Sequence, residues 1–156
     1  MVIGVISDTH KHVNYIDKAS EKLKNTDMII HLGDNVKDVK EIEKFFSGPI
    51  VKVIGNCDFN SMSKSELFVT IENKQVLITH GHHYDVKESL LRLQYRAQEL
   101  GADLVLYGHT HIAKVDYING IFFVNPGSAA LPKNGKNSVA RIDIRNGEII
   151  PSIVEI

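Results

Sequence analysis

Leu104-Val105-Leu106-Tyr107-Gly108-His109-Thr110-His111 is an apolar run that stops at a glycine and then presents two imidazoles one residue apart. Such a run suits a strand buried on both faces, whose neighbours hold its carboxyl end rigidly. Gly108 is read as the residue that lets the backbone turn sharply there without a Cβ clash. Histidine is the commonest side-chain metal ligand, so His109 and His111 look like half of a metal site. Two nearby histidines in a chain with eight are also ordinary surface residues. The reading therefore turns on what else converges on that strand end.

A chain of 156 residues with 43% hydrophobic content fits one globular domain, residues 1–156, large enough for a real core. The formal charge of −1, with acids and bases mixed along the chain, announces no basic surface for nucleic acid or anionic lipid. Cys57 is the only cysteine, which excludes an internal disulfide and fits a reducing compartment. Val2 to Ile6 is followed at once by Asp8 and lacks the basic flank and length of a signal peptide, and no stretch approaches a membrane span. A soluble, cytoplasmic protein is expected.

From the amino end, Val2-Ile3-Gly4-Val5-Ile6 reads as a buried strand ending at Ser7-Asp8-Thr9-His10. Val13, Ile16, Ala19, Ser20 and Leu23 then recur at helical spacing. A second strand, Asp27 to Leu32, stops at Gly33-Asp34-Asn35, and a helix from about Val36 to Phe46 points Val39, Ile42, Phe45 and Phe46 inward before Gly48-Pro49 breaks it. A third strand, Ile50 to Ile54, ends at Gly55-Asn56-Cys57-Asp58. After a polar loop from Asn60 to Ser65, Leu67–Ile71 and Gln75–Thr79 flank Glu72-Asn73-Lys74 as a hairpin, and the second run ends at His80-Gly81-His82-His83. A helix from about Val86 to Leu100, burying Leu90, Leu91, Leu93 and Ala97, is capped by Gly101. Beyond the opening strand, four strands from Ala113 onward turn at Asn119-Gly120 and Asn146-Gly147 and make an antiparallel tail. These elements predict an α/β fold of two facing, mixed β-sheets, because one twisted sheet would be overextended with three helices to cover it.

Acid, amide and imidazole side chains stand directly after five strands: Asp8 and His10, Asp34, Asn56, His80, then His109 and His111. Ligands of α/β sheets bind beyond the carboxyl ends of the strands, where these loops converge. Taken singly, Asp8 or Asp34 is as well explained as a helix cap and Asn56 as a turn residue. Five strand ends with such residues, three of them carrying glycine (Gly33, Gly55, Gly108), are harder to explain that way. Carboxylate, carboxamide and imidazole together suit borderline divalent ions such as manganese, nickel, iron or zinc rather than calcium. Seven ligands exceed one four-coordinate centre and suit two ions that share a carboxylate, about 3.5–4 Å apart. Two divalent ions, two carboxylates and one bridging hydroxide sum to about +1, a charge that attracts phosphate.

Asp8-Thr9-His10, Gly33-Asp34-Asn35, Gly55-Asn56-Cys57-Asp58, Thr79-His80-Gly81-His82 and Gly108-His109-Thr110-His111 resemble the five ordered motifs of the calcineurin-like metallophosphoesterases. The match runs from about residue 3 to 128. It includes Asn125-Pro126-Gly127-Ser128, which resembles a loop of the family's small bacterial and archaeal phosphodiesterases. The resemblance implies a four-layer α-β-β-α sandwich and a phosphohydrolase with two divalent ions. By position, Asp8, His10, Asp34 and His111 would hold the first ion and Asp34, Asn56, His80 and His109 the second. A shared water, made acidic by two ions, would attack phosphorus in line with the leaving group. The partner implied is a small phosphoester, and a homodimer is open because relatives are often dimers.

Cys57 departs from the family, much of which has a histidine there that is thought to protonate the leaving oxygen; a thiol is a poor substitute. His82 or His83 takes that role from the other side of the site, with His82 the better candidate, or leaving groups that need little protonation are favoured. Cys57 itself is expected to be a small packed residue, and Asp58 to orient the metal ligands. Pro132-Lys133 stands where an arginine is expected, so any phosphate contact there is a point charge rather than a fork. The rival with the same fold is a non-catalytic scaffold resembling the retromer subunit, whose metal site is degraded; a phosphomonoesterase is the nearer alternative. A metallo-β-lactamase-type zinc hydrolase is disfavoured because Ile112-Ala113 follow the His-x-His, and glycine-rich nucleotide-binding motifs are missing.

Overall fold

The computed structural model describes residues 1–59 and 61–156. Asn60, the first residue of the predicted polar loop, lies outside the described residues. Strands β1 (Val2–Ile6), β2 (Met28–His31) and β3 (Ile50–Lys52) pair in parallel, and β9 (Ser138–Arg145) and β10 (Glu148–Glu155) extend them antiparallel into a sheet of order β10-β9-β1-β2-β3. A second sheet of order β4-β5-β6-β8-β7 combines β4 (Glu66–Ile71), β5 (Lys74–Thr79), β6 (Leu104–Leu106), β7 (Ala113–Ile118) and β8 (Ile121–Pro126). There β5, β6 and β8 run parallel while β4 and β7 pair antiparallel at the edges.

Alternation along each strand explains why the central strands are apolar throughout. Ile3, Val5, Ile30 and Leu32 pack against Val76, Ile78, Leu104, Leu106 and Val124 between the sheets. Their neighbours Ile6 and Ile29 face outward to Ile16, Ala19 and Leu23 of α1 (Val13–Leu23) and to Ile42 of α2 (Val39–Ile42). On the opposite side Leu77, Val105 and Phe123 meet Leu93 and Ala97 of α3 (Leu91–Leu100). Each side chain so buried contributes about 1.5–3 kcal/mol relative to exposure, which fixes strand register from both faces. The predicted α-β-β-α layering is what forms.

Two helices are shorter than their periodicity predicts. The second is a 3-10 turn at Val36–Asp38 followed by four α-helical residues, and Phe45, expected inside, is 51% exposed. Bonds from Lys44 to Glu41 and from Phe45 to Ile42 close its end as single turns before Gly48-Pro49. A Cβ on Gly48 would lie 2.5 Å from the buried Phe46 ring, so the chain folds tightly back there. The third helix starts at Leu91 rather than Val86, because the Ser89 hydroxyl accepts the Leu91 N–H and ends the preceding turn. Leu91 and Val13, both expected to face the core, are half-exposed. Strand β3 leaves its partner after Lys52, two residues early.

Candidate metal centre

All seven predicted ligands lie at the carboxyl ends of β1, β2, β3, β5 and β6, on the edge the sheets share. Neither aspartate is a helix cap: His12 precedes α1, and Asn35 precedes the 3-10 turn. Five of the seven, Asp8, His10, Asp34, His109 and His111, hold positive φ angles between 45° and 68°. Left-handed backbone costs a non-glycine residue of the order of 1–3 kcal/mol, and strain gathered at one place marks a functional site.

Gly108 plays a different part from the one expected. Its φ is not in the left-handed region; the turn falls on His109 and His111 themselves. The glycine is required for space, because a Cβ would sit 2.2 Å from Ser7 Oγ and 3.1 Å from Asp8 Oδ2. Gly55 is similar, since its Cβ would lie 2.2 Å from Asp34 Oδ1. The strand-glycine-polar pattern thus records loops pressed against carboxylates.

Ligand atoms of Asp8, His10, Asp34 and His111 lie within 4.8 Å of one another. Around them, Asp8 Oδ1 is 3.0 Å from His111 Nε2 and 3.9 Å from His10 Nε2, and Asp34 Oδ2 is 3.9 Å from His10 Nε2. The other Asp34 oxygen, Oδ1, is 3.5 Å from His80 Nε2, which also lies 3.2 Å from Asn56 Oδ1 and 3.2 Å from His109 Nδ1. The two oxygens of Asp34 therefore face two separate groups. Ligands about 2.1 Å from one ion and at right angles to each other are about 3 Å apart, so these separations suit the edges of coordination shells.

Hydrogen bonds decide which lone pairs point inward. His80 Nδ1 donates to Leu32 O at 2.8 Å and His111 Nδ1 to Leu131 O at 2.7 Å, so the neutral rings present bare Nε2 atoms. His111 Nε2 and Asp8 Oδ1 then confront each other as two acceptors despite their 3.0 Å separation. Asp8 Oδ1 and His10 Nε2 are buried and accept or donate no hydrogen bond. Buried polar atoms left without a partner are costly, and a cation between them would satisfy both. The residues present fit divalent ions. In their absence the proton competes: the Asp8 carboxylate beside it raises the His111 pKa. Burial would raise the Asp8 carboxyl, but His111, His80 and the Ser7 hydroxyl together hold it below the usual carboxylate range. Burial, with His80 and Lys87 nearby, lowers His109 to about 4.

Asp58 does not enter the ligand group. Its carboxylate accepts the N–H groups of Asp34, Gly55 and Val36, each at 2.8 Å, and fastens the β2 and β3 loops together. His82 stands beside the site, its ring centroid 5.4 Å from that of His80 and 6.1 Å from that of His109, with a buried and unpartnered Nδ1. Burial and the adjacent His83 and His80 lower its pKa to about 4. His83, the other imidazole considered, is exposed and stacks on His82 with centroids 3.9 Å apart. Cys57 overturns its expectation as a packed residue: it is exposed, and the partial desolvation it does suffer, with the nearby Asp34, pushes its thiol up to about 11. A thiol that stays protonated is a weak donor and a poor proton source.

Several supporting residues escaped the sequence reading. Ser7 donates to Asp8 Oδ2 at 2.6 Å and leaves Oδ1 facing the site. Asp38, placed on a helix by periodicity alone, accepts the Thr9 hydroxyl and the Lys11 N–H and pins the β1 loop. His31, fully buried, accepts from Gly33 N through Nδ1 and meets Thr9 Oγ1 at 3.2 Å through Nε2. The Asn125–Ser128 loop, already singled out in the sequence but without a role, ties two strand ends: Asn125 donates to Gly108 O and Thr110 Oγ1, and Ser128 to Asp8 O. The one available signal was a polar residue flanking each motif, which ordinary turns also show.

The sequence model of the calcineurin-like phosphoesterase superfamily domain matches residues 1–147. Over 138 residues the chain is 38% identical to the probable metallophosphoesterase YsnB of Bacillus subtilis, covering 85% of this chain and 78% of that protein. It is 30% identical to vacuolar protein sorting-associated protein 29 of Schizosaccharomyces pombe, over 99% of this chain and 83% of the other. A solved archaeal phosphodiesterase superposes with a TM-score of 0.79 at 27% identity, covering 99% of this chain and 100% of that one. Among the described residues, no helix is long and apolar enough to cross a membrane.

Proposed function

The chain belongs to the calcineurin-like phosphoesterase superfamily, and from that premise we propose that it is a phosphodiesterase that works with two divalent ions. The observation that carries this reading is the division of Asp34, with Oδ2 toward His10 and Oδ1 toward His80. Asp8, His10, Asp34 and His111 would hold one ion, and Asp34, Asn56, His80 and His109 would hold the other. Bound there, the ions supply Lewis acidity that activates water and offsets charge on the phosphoryl oxygens.

The protein's own groups set the conditions for that chemistry. Leu32 O and Leu131 O accept the Nδ1–H groups of His80 and His111, respectively, so the Nε2 atoms are the ones turned to the site. Asp58 holds the Asp34 loop in place through three N–H groups. In the reaction a water oxygen bonds to phosphorus as one ester P–O bond breaks, and the alcohol leaves with a proton or as the anion. Cys57 is not its proton source, and a neutral His82 has a lone pair rather than a proton to spare at one nitrogen. Leaving groups that are already acidic are therefore favoured, and diesters, whose single charge resists attack less than a monoester's two, are favoured over monoesters.

The relationship to the vacuolar sorting protein supports a second reading, a scaffold of the same fold. The complete ligand set favours catalysis. Hydrolysis of bis(p-nitrophenyl) phosphate with manganese or nickel, before and after chelation, separates the two. Metal-stimulated turnover that His109→Ala abolishes is expected, while Cys57→Ala retains metal and turnover. Absence of stimulation, together with far fewer than two ions per chain, sinks the hydrolase reading and leaves the scaffold.

A further inference from the structure

Two clefts adjoin the ligand loops, and they differ in charge. One, of about 570 Å³, is lined by Lys11, Lys37, Lys40 and Lys52 around Val36, Val39 and Phe59. It reaches the site directly: Cys57, on its wall, donates its N–H to Asp34 Oδ1, and Asn35 lies 3.2 Å from His10. Among the described residues none of these four lysines is in an ion pair. Two acids stand on the wall, Asp58, whose oxygens are turned to three backbone N–H groups, and Glu43, so four ammonium groups outnumber two carboxylates. The second cleft has Lys87, Lys114 and Lys133, but Lys114 is paired with Asp116 at 3.0 Å and Glu88 shares the lining.

We propose that the four-lysine cleft is the subsite for one arm of the substrate, and that this arm carries a second phosphate and a planar ring. The inference rests on the phosphodiesterase reading of the adjoining centre and names its substrate class, a phosphodiester of a phosphorylated nucleoside. The size is right, since pockets for small ligands span about 300–1,000 Å³. The lysines are unpaired, exposed point charges on flexible stems, which suit a freely rotating phosphate monoester. Phe59, 79% exposed at the rim, offers an apolar face for a base to stack on. A formal charge of −1 for the chain argues that the lysines act as a local pocket and not as part of a polyanion-binding surface.

Thymidine 5′-(p-nitrophenyl phosphate) and its 3′-phosphorylated counterpart differ only in the second phosphate, and both release p-nitrophenolate. In low salt with manganese, kcat/KM is expected to be about tenfold higher for the 3′-phosphorylated compound, equivalent to two screened charge contacts of about threefold each. Lys40→Gln combined with Lys52→Gln should bring that ratio near one, as should 0.5 M salt, whereas Lys74→Gln on a distant surface should leave it unchanged. A ratio near one in the wild type, or one that survives the double substitution, overturns the proposal. A second arm measures binding of thymidine 3′,5′-bisphosphate by calorimetry to chelated protein. At least fivefold weakening in the double variant is expected, and equal affinity counts against the subsite. Should neither ester nor bis(p-nitrophenyl) phosphate be hydrolysed while that binding difference persists, the hydrolase reading fails and the anion subsite stands.

Discussion

Asp58→Asn tests whether the metal ligands are held by carboxylates that never touch an ion. One Asp58 oxygen accepts two N–H groups, from Asp34 and Gly55, and the other accepts Val36 N–H, all at 2.8 Å. An asparagine of the same shape keeps its oxygen toward the doubly bonded side and turns an NH2 group against Val36 N–H. One donor is then left unsatisfied and the two remaining bonds lose their charge assistance. A hydrogen bond to a charged group is worth about 1.5–3 kcal/mol, and an unsatisfied partner costs about 1–3 kcal/mol. With partial relaxation, a loss of about 2–4 kcal/mol in the chelated protein follows, or roughly 5–15 °C in Tm for a chain of this length. Because those bonds fix Asp34, affinity for manganese should fall about 10–100-fold, the usual cost of losing an outer partner of a metal ligand. Calorimetric metal titration and thermal unfolding, each on chelated starting material, read the two quantities separately. Unchanged metal affinity would show that the Asp34 loop holds its shape without Asp58 and would refute the positioning role.

Gly108→Ala places a methyl 2.2 Å from Ser7 Oγ and 3.1 Å from Asp8 Oδ2, so the Ser7 hydroxyl must move and Asp8 loses the donor that orients it; overpacking of this kind costs about 1–3 kcal/mol. Its signature is fewer bound ions by elemental analysis together with a lower Tm, and wild-type stoichiometry would contradict the close-approach reading. His31, buried as the neutral ring, has its pKa lowered from 6.5 to about 4 by burial, against the pull of Asp58 and Asp38. The unfolded chain thus binds that proton first, so stability is fully present above pH 7.5 and is lost as pH falls through 6.5 toward 4. Between pH 8 and pH 5 the loss is about 2 kcal/mol, at 1.36 kcal/mol per pKa unit. Urea unfolding of chelated His31→Gln should show that much less pH dependence than the wild type; identical slopes would rule out a neutral buried His31.

The five motif positions were legible from the sequence because each follows an apolar strand, four of them largely buried and β3 half-buried at the sheet edge, and a strand end fixes where the next residues point. The two-sheet layering was legible for the same reason: continuous apolar strands need cover on both sides. Periodicity failed where it had no competitor in view. It carried α2 to Phe46 and α3 back to Val86, whereas local events decided the ends: the Ser89 hydroxyl at the start of α3 and the tight return at Gly48 after α2. The exposure of Cys57 was equally invisible, since a thiol beside Asn56 reads alike on a wall or in a core. At His109-Thr110-His111, sequence supplied the ligand types, their order and, through the resemblance, an expected division between two groups, and tertiary structure decided where each ring lies. Left-handed backbone at both histidines, with Ser7 and Asp8 pressed against Gly108, sends one ring to His80 and the other to Asp8. Pairings of this kind join residues up to 103 positions apart, and no local pattern encodes them: they arise only when two sheets, each ordered by its own apolar faces, bring five strand ends to one edge.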